Sequence, residues 1–112
     1  MQVFTKDQDV GWEILKPNQV KRKIKAHSDK IMMVEVCFEN GAVGDLHKHF
    51  HEQATYCLEG TFEFTVGDEK TVVKAGDTIY MPPDSLHGCK VLSDKGRVLD
   101  VFTPCREDFL KK

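Results

Sequence analysis

Thr61-Phe62-Glu63-Phe64-Thr65-Val66-Gly67-Asp68-Glu69-Lys70-Thr71-Val72-Val73-Lys74 decides the fold class. In its first six residues Phe62, Phe64 and Val66 alternate with Thr61, Glu63 and Thr65. Successive side chains of an extended strand point to opposite faces, so this is a strand with one buried face. Gly67-Asp68-Glu69-Lys70 carries turn chemistry, and Thr71–Lys74 returns as the second strand of a hairpin. Outward from it, strands are expected at Ile31–Phe38, Ala54–Leu58, Thr78–Met81, Cys89–Leu92 and Arg97–Thr103. Glu39-Asn40-Gly41, Glu59-Gly60, Ala75-Gly76-Asp77, Pro82-Pro83-Asp84 and Ser93-Asp94-Lys95-Gly96 separate them. Many short strands at close spacing predict an all-β sandwich or barrel. A short helix is expected over Arg106–Leu110, and an edge strand around Val10–Pro17 with Trp12 packed on the barrel.

The 112 residues suit one domain, and 40% hydrophobic residues supply one modest core. A formal charge of −2 gives no electrostatic footprint for nucleic acid or an anionic membrane. The basic run Lys21-Arg22-Lys23-Ile24-Lys25 reads as a solvated strand edge or turn. The N-terminal residues lack the pattern of a secretory signal, and no stretch approaches the roughly 20 apolar residues that cross a bilayer. Cys37, Cys57, Cys89 and Cys105 are far apart, as reduced core thiols of a cytoplasmic protein would be.

His47, His49 and His51 fall within five residues. On a strand His47 and His49 would share a face and converge on one ion, and imidazole is a common metal ligand. Polar histidines on a solvent face are the bland alternative. Spacing argues for the ion. Gly41 precedes His47 by six residues, Gln53 follows His49 by four, and Gly60 follows Gln53 by seven. Gly76, Pro82 and His87 form a second run downstream.

These two runs resemble the two cupin motifs. The resemblance implies a double-stranded β-helix, that is a cupin or jelly-roll barrel, as a single domain over 1–112 with its barrel core at about 31–103. It also implies a homodimer and a divalent transition metal held by His47, His49, Gln53 and His87. Gln53 stands where the motif has Glu, Asp84 where it has Gly, and Val91 where it often has Asn. Asp tolerates left-handed backbone, so Asp84 need not disturb the turn. A neutral Gln53 leaves the ion's charge uncompensated. That favours an anionic ligand, weakens metal retention and disfavours oxidation of iron. Strand parity and motif spacing select Gln53 over Glu52. His51 is expected beside the ligands or at the rim, and His27 on the surface.

Val98-Leu99-Asp100-Val101-Phe102 is apolar on both faces except at Asp100. A buried carboxylate is costly, so this one is either paired, with Arg106 at the barrel rim as the structural option, or faces a wet cavity. The run Asp100-Val-Phe102-Thr-Pro-Cys-Arg106-Glu-Asp-Phe, together with the histidines and Gln53, is similar to the pectin-degradation cupins known as the KdgF family. That resemblance implies conversion of 4,5-unsaturated monouronates, from pectin or alginate, to linear ketouronates. Asp100, Phe102 and Arg106 would be the functional trio: a proton carrier, an apolar wall and a carboxylate clamp. The competing readings are a metal-dependent dioxygenase and a non-enzymatic sugar-binding cupin. Nickel, zinc, manganese, cobalt and iron(II) all suit the donor set.

Overall fold

The computed structural model describes residues 2–111. Ten strands run through them: β1 (Glu13–Lys16), β2 (Val20–His27), β3 (Met32–Glu39), β4 (Val43–His47), β5 (Glu52–Glu59), β6 (Thr61–Val66), β7 (Glu69–Lys74), β8 (Thr78–Met81), β9 (His87–Val91) and β10 (Lys95–Thr103). One helical turn, α1 (Glu107–Leu110), follows. The strands form a six-stranded sheet ordered β1-β2-β3-β10-β5-β8 and a four-stranded sheet ordered β4-β9-β6-β7. The inner faces of both sheets meet in one core containing Met32, Val34, Phe38, Cys57, Phe62, Val91 and Val98. Phe38 and Phe62 join the sheets edge to face, with ring centroids 5.3 Å apart.

The alternation in Thr61–Val66 becomes β6, with Phe62 and Phe64 buried, paired through Val66↔Glu69 with β7. The strands expected at Thr61–Val66 and Thr78–Met81 have those bounds, the edge strand expected around Val10–Pro17 is the shorter Glu13–Lys16, and the others shift by one or two residues. β2 overturns the reading of the basic run as a solvated edge or turn. It lies between β1 and β3, and Lys23 is buried. Pairing of Val20, Arg22 and Ile24 with Phe38, Val36 and Val34 turns these three inward and the lysines outward. The Lys21 and Lys23 ammonium groups lie 4.6 and 4.5 Å from the Trp12 ring, and Lys23 pairs with Asp7. Long apolar stems under a charged tip let this face be covered by lysine.

The idea that His47 and His49 share one strand also needs correction. His47 ends β4, whereas His49 lies in the connection to β5. That connection is fixed instead by hydrogen bonds. The N–H of Asp84 donates to the carbonyl of His49 at 2.8 Å, and Asp84 sits at φ 61, in the left-handed region. Gly88 is required beside the site, because a Cβ there would come within 2.7 Å of the Gly44 carbonyl oxygen.

Candidate metal centre and cavity

Antiparallel register brings distant residues together. His47 on β4 pairs with His87 on β9. On β5, Gln53 lies opposite Phe102 and Thr55 opposite Asp100 of β10. The burial of β5 alternates, so Gln53, Thr55 and Cys57 face inward while Glu52 faces outward and accepts the Tyr80 hydroxyl. The His47 and His87 rings are 4.5 Å apart between centroids, His49 and His87 4.9 Å, and His47 and His49 5.7 Å.

Each of these three histidines has its Nδ1 tied to a backbone carbonyl. His47 donates to Asp45 at 2.8 Å, His49 to His51 at 3.0 Å and His87 to Ser85 at 3.0 Å. This fixes the tautomer and leaves Nε2 of each ring as a lone pair. One candidate ligand atom from each histidine lies within 4.8 Å of the others. Nε2 of His87 is buried without a hydrogen-bond partner, and Nε2 of His49 faces Oε1 of Gln53 at 3.1 Å. Converging lone pairs with no proton between them are what a cation would satisfy, so the donor set fits a divalent metal. Burial pushes His87 down to about 4 and lowers His49, where the Arg106 charge adds to the effect. Both imidazoles are therefore neutral, ligand-ready groups near pH 7.

The expected trio lies beside the histidines. They border a cavity of about 360 Å³ that includes His47, Gln53, His87, Asp100, Phe102 and Arg106, with Val36, Phe38, Phe64 and Val98 on its apolar side. Burial pushes the Asp100 carboxyl up to about 6, against hydrogen bonds from Thr55 and Gln53 and the charges of His47 and Arg106. Phe102 is buried, with its ring centroid 5.7 Å from that of His49.

The rim ion pair considered between Asp100 and Arg106 does not form. Arg106 pairs with Asp108 instead, through Nε at 3.1 Å and Nη2 at 2.9 Å. Its guanidinium lies 4.2 Å from the Phe109 ring, while Arg22 covers the same ring at 3.7 Å. Arg22, Thr55 and Phe109 are site neighbours that sequence reading missed. Only strand pairing brings Arg22 and Thr55 there. Two other histidines lie outside the cluster. His51 is buried, stacked on Phe50 at 4.0 Å, while His27 is exposed at the end of β2.

A β-barrel whose mouth gathers three histidines is the architecture of a cupin. The Cupin domain family model matches residues 34–102, and the chain belongs to the cupin family. Within that family it is 40% identical over 105 residues to the pectin degradation protein KdgF of Dickeya dadantii, covering 93% of this chain and 94% of that one. The structure of KdgF from Halomonas sp. superposes with a TM-score of 0.90 at 34% identity, over 97% of this chain and 99% of that one. An RmlC-like cupin from Shewanella frigidimarina superposes with a TM-score of 0.91 at 32% identity, over 97% and 96%. Among the described residues no helix is long and apolar enough to cross a membrane.

Proposed function

We propose that this chain is a metal-dependent enzyme of pectin or alginate breakdown that converts 4,5-unsaturated monouronates to linear ketouronates. One observation carries the reading. A single cavity is lined by His47, His87, Gln53, a carboxyl raised to about 6 and a guanidinium, and His49 joins His47 and His87 in one cluster beside it. Near-full-length similarity to a protein named for pectin degradation supports the substrate class. A cytoplasmic homodimer acting on a small anionic sugar, with no nucleic-acid or membrane partner, completes the proposal.

When bound, the ion supplies Lewis acidity toward substrate oxygens. The chain's own residues do the rest. Arg106 has nitrogens left over from Asp108 with which to pair the sugar carboxylate. Phe102 walls the ring. Asp100, raised to about 6 and so mostly ionised at neutral pH, accepts the anomeric O–H proton as the C1–O5 bond breaks and C1 becomes an aldehyde. The freed O5 takes a proton to give an enol at C5. Protonation at C4 with loss of the enol O–H proton then leaves the C5 ketone. The net change is an isomerisation, so no co-reactant is needed. Gln53 adds no negative charge to the three histidines. The arrangement therefore favours an anionic substrate and disfavours oxidised iron, which supports a reading of proton chemistry over oxygen chemistry.

Anaerobic incubation with 4,5-unsaturated galacturonate tests the proposal. Loss of the conjugated-alkene absorbance should outpace a protein-free control and stop on chelation. A rate equal to the control, with metal shown to be bound, would leave a metal-binding cupin acting on something else. Turnover that requires oxygen would point to the dioxygenase.

A further inference from the structure

Gln53 and Thr55 sit two residues apart on the inward face of β5, exposed by only 5% and 1%. A line of polar contacts runs through them. Oε1 of Gln53 faces Nε2 of His49 at 3.1 Å, and Nε2 of Gln53 donates to Oγ1 of Thr55 at 2.9 Å. Oγ1 of Thr55 donates to Oδ1 of Asp100 at 2.6 Å. It also lies 3.8 Å from Sδ of Met81, a weak acceptor.

A hydroxyl has one proton. With that proton on Asp100, the Thr55 oxygen accepts from Gln53. The amide must then turn its NH2 to Thr55 and its carbonyl to the histidines. The reversed amide would make Gln53 and Asp100 compete for the same proton, leaving one buried acceptor unpaired. At the other end, the His51 carbonyl holds the Nδ1 proton of His49, so two lone pairs meet at 3.1 Å. They are compatible when both point to one cation.

We propose that Thr55 is a positioning residue that locks the Gln53 carbonyl toward the metal and, with the same proton, orients Asp100. The inference rests on the metal-site reading above and deepens it. Metal retention and the placement of Asp100 then form one coupled hydrogen-bond state.

The test reads metal affinity without substrate, by chelator competition with Zn²⁺ alone, so absence of uronate turnover would not decide it. Thr55→Val should weaken Zn²⁺ binding roughly 10- to 100-fold, as loss of a ligand-orienting contact does. Thr55→Ser should restore it. In a Gln53→Ala background, Thr55→Val should change affinity no further. Equal losses in both backgrounds, or affinity unchanged in Thr55→Val, would overturn the proposal, as would a wild type that binds no Zn²⁺. Should Thr55→Val fail to fold, the Gln53 side-chain NH2 resonances decide the matter. They should move on Zn²⁺ addition in both the wild type and Thr55→Ser, and unmoved resonances would overturn it.

Discussion

In the folded chain Asp100 keeps a proton up to about pH 6, whereas its ordinary value is 3.8. Between those values the native state binds more protons than the unfolded state, so stability from this group falls as pH rises through the window. Asn carries no such charge. Metal-free Asp100→Asn should therefore melt at or above the wild-type temperature at pH 7, with a gap that closes below pH 4. Its uronate turnover should fall about 100-fold or more, the usual worth of a proton carrier. Intact turnover in a folded variant would remove Asp100 from the mechanism. At this scale the sequence was informative wherever a residue type violated its surroundings, as Asp100 does within an apolar run. Thr55 violates nothing. It fits a strand equally well facing in or out, and its importance arises only from pairing with a strand 45 residues away.

Strand alternation made β6 and β7 legible, because one face is apolar and the other polar. It hid β2, whose outward lysines cover neighbouring side chains instead of meeting water alone. The histidine run misled in another way. Motif spacing picked out the histidines that cluster, but His49 reaches the cluster from a loop held by Asp84 rather than from a strand. Packing at this scale has a direct test. Phe62 is fully buried, and a Cβ on Gly96 would come within 2.5 Å of its ring. Phe62→Ala should cost about 3–5 kcal/mol in urea unfolding, the range for a buried aromatic whose site cannot collapse. Glu35 tests the six-stranded sheet from outside. Burial pushes its carboxyl up, yet hydrogen bonds from Arg97 and Lys25 outweigh burial and hold it below its ordinary 4.5. A lowered folded value gives stability that is present above pH 4.5 and lost as pH falls below it. Acid unfolding monitored by circular dichroism should therefore be shallower below pH 4.5 in Glu35→Gln than in the wild type. Identical slopes would show that the pairs contribute nothing.

The whole molecule puts the three clustered histidines at the mouth of a barrel whose two sheets share one core, so fold and cluster depend on the same strand pairings. The cupin class was readable before any coordinates because glycine, proline and histidine spacing reports turns and donors together. The cavity's shape was not, since Val36, Phe38, Phe64 and Val98 come from three strands and both sheets. The measurement that tests the central claim most directly is anaerobic turnover of 4,5-unsaturated galacturonate as the metal-stripped chain is titrated with a divalent ion. The account predicts a rate that starts at the uncatalysed level, rises linearly and reaches a plateau at one ion per chain. The His87→Ala variant should show no such rise. Full turnover by the stripped chain, or a rise of the same size in His87→Ala, would contradict it.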